Sequence, residues 1–373
     1  MTRPRTPSLD FDGEYEAEMF SARTGYTYRL PWSAIAWQRR RNDISEATVT
    51  VAPIDGPAYD KRTDILRALE PWGCELRISR NASIVWSGPI VGFGRGETGP
   101  GSEAPVTIRA RDRMAVTKRR LIAADRSYTS QSLGGTILPQ IVSDAFAESA
   151  SRYTFTVSAD GWGISGSRAY IARSGETLWS CIEELSERGL TWSMVGPTFV
   201  GDAATFTAAS ARIGLFTDES FVSLPGVDID GLEMANLYDV AAGESTDIGF
   251  LAIGFYSSVD PVLGRLETFE QRSDLTNTTD ADAYALEQFN RFRFPLATIA
   301  QATISTAAPV AFADLIPGVN VAISFEESVM LGAADLYGHT LHGLDQVDVA
   351  VDASDQGLAE RVSLTFGPPT EGI

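Results

Sequence analysis

Between Tyr26 and Ile122 the sequence reads as one short strand after another: YTYRLPW, ATVTVAP, ELRISR, SIVWSGPIVGF and VTIRARD. Apolar and polar residues alternate along these runs, and that period places the apolar side chains on one face of a sheet. Loops rich in Gly, Pro and Glu, such as GRGETGPGSEAP, separate them, and one segment, DKRTDILRAL, is helical in pattern. Many short strands joined by regular turns argue for a barrel or a sandwich. The sharpest local signal lies at residues 74–95. CELRISR and SIVWSGPIVGF flank Asn81-Ala82 at turn distance, and Gly88-Pro89 interrupts the second strand. This predicts a hairpin that bends, because proline cannot donate to the ladder.

At 373 residues the chain is too long for one ordinary core. Residues 1–25 are polar and read as an N-terminal arm, with the first β-rich domain over 26–124. The pattern then changes. GGTILPQIVSDAFAESA places Ile137, Leu138, Ile141, Val142, Ala145 and Phe146 at helical spacing, with Pro139 in the first turn. SGETLWSCIEELSERG aligns Leu178, Cys181, Ile182 and Leu185 in one stripe, with Ser174 placed to cap it and Gly189 to end it. The strands LTWSMVG and PTFVGDAATFTA follow, so 125–212 reads as an α+β domain with two helices. Residues 213–373 return to strands around one helix, TTDADAYALEQFNRFRF, whose acidic start and basic end suit the helix dipole. PWGCELRISRNASIVWSGPIVGF, from residue 71, is echoed by PGVNVAISFEES…HTLHGLDQVDV, from residue 317. A β-rich domain thus occurs twice.

The chemistry of an enzyme is missing. GWGISG, residues 161–166, has dinucleotide-site spacing, yet SRAYIAR after it alternates like a strand, and such a site needs a helix N-terminus there. His339 and His342 are the only histidines, sit among glycines and lack further zinc ligands. No G-x-S-x-G elbow exists. Glu183-Glu184 reads as a solvated helix face and Glu326-Glu327 as a turn. Asp228 and Asp230 lack the other ligands of a calcium loop. Cys74 and Cys181, the only cysteines, have no metal or redox spacing. No catalytic residue, cofactor or metal is therefore expected. A cell-wall hydrolase built on a carboxylate pair and a carbohydrate-binding adhesion module stand as the alternatives.

Charge is unevenly spread. Residues 1–120 hold 19 Lys and Arg against 15 Asp and Glu, a net of +4. Residues 121–373 hold 11 against 34, a net of −23, which repels nucleic acid. QRRRN, residues 38–42, lacks interleaved aromatics and reads as an exposed or inter-subunit edge. No run is long and apolar enough to span a membrane, and MTRPRTPSLDFDGEYEAEM lacks the apolar region of a secretory signal.

The order of these segments resembles the tail hub, or minor tail protein, of long-tailed bacteriophages and related gene transfer agents. The resemblance rests on NDISEATVTVAP…LEPWGCELRISRNASIVWSGPIVGF, on SGETLWSCIEELSERGLTWSM and on the late helix followed by LIPGVNVAIS. It implies a mainly β chain with α+β parts: two β-barrel-like hub domains, separated by smaller α+β domains, that form a ring as a homotrimer. The implied role is to close the distal tail tube at the virion tail tip and anchor tip or fibre proteins. Partners would be a distal tail or tube protein, a tape-measure protein and a receptor-binding or fibre protein, with DNA only in transit through a channel and no membrane insertion. The acidic surplus is then expected to line or flank that channel. The bent hairpin would belong to the ring, its exposed edge pairing with a neighbour through Arg77, Ile78, Ile84, Trp86, Pro89 and Ile90. The final strand RVSLTF lies near Ile373, so no appended lysin domain is expected.

Overall fold

The computed structural model describes residues 13–52, 59–96, 104–147, 152–159, 165–172, 174–187, 190–201, 212–243, 252–258, 261, 264–272, 278–292, 296–324, 340–354 and 357–369. Strand β1, Tyr15–Ser21, alternates strictly between buried and half-buried positions and pairs antiparallel with β5, Cys74–Arg80, from Tyr15↔Arg80 to Ser21↔Cys74. The arm expected over residues 1–25 is corrected here. Glu16 and Glu18 face outward between Tyr15, Ala17 and Met19, so a polar composition conceals a period of two.

The N-terminal region continues with β2, Thr27–Arg29; β3, Trp32–Arg40; β4, Glu46–Val51; helix α1, Tyr59–Ala68; β6, Ser83–Arg95; and β7, Val106–Arg111. The hairpin turn lies at Asn81 and Ala82, with φ of 51° and 62°. Two left-handed residues match the twist of the flanking strands. Asn81 is fixed to the residue preceding β1: its Oδ1 accepts from Glu14 N at 2.8 Å. Strand β6 pairs with β5 as far as Glu75↔Pro89, then leaves it and pairs with β7 from Ile90↔Ala110. Gly88 sits at this change of partner. A Cβ there would fall 1.8 Å from the Arg111 carbonyl oxygen, so only glycine fits.

The middle region holds β8, Arg126–Ser132; α2, Leu138–Ala147; β9, Thr156–Ser158; β10, Ser165–Tyr170; α3, Leu178–Glu187; β11, Trp192–Val195; and β12, Thr198–Gly201. Leu178, Cys181, Ile182 and Leu185 pack with Ile141 and Trp192 in one core. The cap of α3 is Thr177, whose Oγ1 accepts from Ser180 N at 3.1 Å, rather than the expected Ser174. Gly189 lies outside the described residues.

The C-terminal region comprises β13, Arg212–Phe216; β14, Val227–Asp230; β15, Leu237–Ala242; β16, Ala252–Ser257; β17, Glu267–Arg272; helix α3's successor α4, Thr278–Phe292; β18, Leu296–Ile299; β19, Ala302–Thr303; β20, Asn320–Ile323; β21, Thr340–Ser354; and β22, Gly357–Pro369. Helix α4 packs on the β16–β15–β17 sheet through Ala281, Ala285 and Phe289. Asp282, the fifth residue of α4, accepts from Phe255 N at 2.9 Å.

The two β-rich regions meet in one sheet. Strand β21 pairs with β22 along one edge and with β3 along the other, from Gln346↔Arg40 to Asp352↔Ala34. Val49 and Ile108 of the first region share a core with Val321, Val349, Val362 and Leu364 of the second. The two regions expected on either side of the α+β part are therefore continuous through backbone pairing.

Candidate assembly surface

The six hairpin residues do not lie on one exposed surface. Ile78, Trp86, Pro89 and Ile90 are buried, and the first, second and last of these belong to the large core. Ile84 is 45 % exposed beside the turn. Arg77 is half-buried and its Nη2 lies 2.8 Å from Glu75 Oε2. On the β5 side of the hairpin the outer edge is already filled by β1, so no exposed edge is left there. The open edge lies further along. Beyond Pro89, β6 pairs only with β7 among the described residues, leaving its other edge free from Val91 to Arg95.

That edge borders an open sheet face. Ladder registers place Gly92 opposite Arg109, Arg109 opposite Thr48, and Thr48 opposite Ala36. The same row continues from Ala36 to Ala350 and from Ala350 to Arg361. Small side chains dominate the row and Arg109 and Arg361 interrupt it, while Glu46 and Asp348, two positions along β4 and β21, put acidic side chains on the same face. The reverse face carries Ile108, Val49, Trp37, Val349 and Val362, all in the core.

At one end of this face β4, β6 and β7 meet the 3-10 turn Arg113–Arg119 around a concavity of about 600 Å³. Arg109, Lys118 and Arg119 line it, all are exposed, and none has a carboxylate partner among the described residues. Arg119 lies over the Trp72 ring at 4.5 Å and Lys118 Nζ over the Trp179 ring at 4.3 Å, contacts that hold both cations in place. Arg111 is neutralised by Glu46 at 2.9 Å. The 3-10 turn is fixed by buried Asp112, which accepts from Ser45 N at 2.7 Å and Met114 N at 3.0 Å. Burial raises the Asp112 carboxyl to about 7, against the lowering effect of those hydrogen bonds.

The QRRRN cluster is not an exposed edge. Strand β3 lies between β4 and β21, and its alternation turns Arg39 inward beside Trp37. Arg39 donates to Leu315 O at 3.0 Å and Val85 O at 3.1 Å, and burial lowers its guanidinium to about 10. Arg40 and Arg41 pair with Asp43 at 3.1 Å and Asp345 at 3.2 Å.

The residues weighed for catalysis or metal binding are dispersed. His342 is buried on β21 with Nδ1 3.1 Å from Gly367 O, and burial lowers its pKa. Glu184 pairs with Arg168 at 2.8 Å. Asp228 and Asp230 lie in β14. Strand β10 starts at Ser165, so the end of GWGISG enters a strand. Residues 161–164, His339, Glu326 and Glu327 lie outside the described residues. Among the described residues no group of three or more His, Cys, Asp or Glu is placed to hold a metal ion. Burial raises Cys181 to about 12, so its thiol stays protonated at neutral pH.

No protein-family profile matches the sequence, and no curated protein matches it. Solved structures do match. The 43 kDa tail protein of prophage MuSo2 from Shewanella oneidensis aligns with TM-score 0.61 at 13% identity, over 94% of this chain and 98% of that one. The tail protein from Neisseria meningitidis MC58 gives TM-score 0.61 at 13% identity, over 96% and 97%. Prophage tail protein gp18 from Listeria monocytogenes EGD-e gives 0.57 at 11%, over 94% of each chain. The resemblance carried by the sequence motifs is thus met by the fold: over nearly its whole length, this chain has the architecture of prophage tail proteins.

Proposed function

We propose that this chain is a structural tail-tip hub: three copies close the distal end of a phage-like tail tube, anchor tip or fibre proteins and leave a central channel for DNA. The observation that carries the reading is the continuous sheet through β6, β7, β4, β3, β21 and β22, with one face in the core and the other open. Three copies of a two-region sheet supply six similar segments around an axis, and heterologous contacts close such a ring. The open face is the channel wall. Its small side chains present a smooth surface, and its mixed charge gives phosphates no continuous basic track. The free edge of β6 receives the neighbouring copy, a role that the sequence had placed on the β5–β6 hairpin. A tube protein and a tape-measure protein meet the ring on one side, and a receptor-binding or fibre protein on the other, at the virion tail tip. The chain itself does no chemistry in this reading.

The mass of the purified chain by light scattering, with its copy number in assembled particles by cryo-electron microscopy, tests the proposal. Three copies around the tube axis are expected. One copy, or six identical copies in the ring, overturns it. Release of muropeptides from purified peptidoglycan, lost on changing a single Asp or Glu, would replace the structural reading by an enzymatic one.

A further inference from the structure

The basic concavity is left unexplained by a smooth channel wall. Arg109, Lys118 and Arg119 converge on it with no carboxylate partner of their own among the described residues, because Glu46, the acidic residue in its lining, is taken by Arg111. Unpaired surface cations are ordinary when scattered. Here three share one depression, and two are held over indole rings. Ordered cations around a hollow fit an anionic partner better than bulk solvent does, because less side-chain freedom is lost on contact.

The geometry points to a second copy of this chain as that partner: the concavity receives carboxylates from the acidic C-terminal part of the neighbouring subunit. This rests on the ring proposed above and specifies which surface closes it. Two observations favour it. First, the concavity runs to the free edge of β6, being lined by Val91 and Gly92, and that edge lies across β7 and β4 from the β3–β21 joint. A chain whose N-terminal region meets its own C-terminal region at β3 has its next neighbour at the opposite edge. In a head-to-tail ring that neighbour is the C-terminal region of another copy. Second, the charges complement each other: residues 1–120 carry +4 and residues 121–373 carry −23. Complementary patches steer association and fix its register. Duplex DNA, the other anion in the proposed setting, meets a chain of net charge −19 and is repelled at long range.

The test uses the full chain. Mass photometry and sedimentation measure the trimer over a range of NaCl for wild type and for the double substitution R109E/R119E, with circular dichroism checking the fold. A wild-type trimer that weakens about tenfold or more from low to high salt is expected, together with loss of about 100-fold in assembly for the double variant. If R109E/R119E does not fold, the neutralising pair R109Q/K118Q reads the same interface, with an expected loss of about tenfold. A wild-type trimer whose assembly is untouched by these changes overturns the assignment and leaves the ring standing. A chain monomeric at every concentration, and in particles, overturns both. Binding of a duplex oligonucleotide, abolished in the variant while the trimer persists, assigns the concavity to DNA and also overturns the proposal.

Discussion

Arg80 and Glu360, 280 residues apart in sequence, meet in a two-point ion pair: Nε lies 3.1 Å from Oε1 and Nη2 3.0 Å from Oε2. Their side chains are 6% and 1% exposed. Tyr15 Oη donates to the same carboxylate at 2.6 Å, and Phe312 covers the guanidinium at 4.4 Å. The pair ties β5 to β22, and so the first β region to the last.

Removing one partner leaves an uncompensated buried charge. Glu360→Gln is expected to cost about 3–5 kcal/mol, whereas Arg80→Met with Glu360→Leu recovers most of that loss. Urea denaturation of the single and the double variant beside wild type checks both statements. Equal destabilisation by the single and double changes would show that the pair itself, not the stranded charge, carries the stability.

Gly88→Ala is expected to abolish folding of the N-terminal β region, because the added methyl meets the Arg111 backbone rather than a movable side chain. Gly94→Ala is the control: its Cβ position is open for 4 Å, so a change within about 0.5 kcal/mol is expected. Soluble yield and thermal melting separate the two.

Asp112 predicts a pH dependence of stability. Its folded pKa, raised to about 7, exceeds that of an exposed carboxyl, so the folded state binds the proton more tightly. The stabilisation is fully present below the usual carboxylate range near 4 and is lost as pH rises through about 7. Subtracting the denaturation midpoints of Asp112→Asn from those of wild type isolates this slope, which should run downward from acid to neutral pH. A flat difference would mean that Asp112 is ionised throughout.

Leu185→Ala is expected to cost about 2–5 kcal/mol in the middle region, since Leu185 is buried against the α2–α3 core that holds Trp192. Hydrogen exchange of the α2 and α3 amides reports that region directly. A change within error would mean that the core collapses around the cavity.

Local period made part of this legible. The hairpin at 74–95 and the α3 stripe follow from neighbours within a few residues. The partner change at Gly88-Pro89 followed from the same kind of signal. Strand β1 was hidden because two of its three outward positions, Glu16 and Glu18, are glutamates, which gave an arm in place of a strand. Once β1 occupies β5, the open edge shifts to Val91–Arg95, so one missed strand displaced the whole candidate interface. Arg39 was read as exposed because nothing near QRRRN announces β21. A strand's burial depends on what pairs beside it, and that partner lies some 300 residues downstream, beyond any local pattern.

The β3–β21 ladder also sets a schedule for synthesis. Ala34–Arg40 leaves the ribosome long before Gln346–Asp352 exists, so that flank of β3 has no native partner for roughly 15–60 s at about 5–20 residues per second. An unpaired strand edge invites foreign pairing during that interval. Overexpression at reduced temperature, or together with a chaperone that holds nascent chains, should therefore raise soluble yield more for the whole chain than any change made in the α+β region.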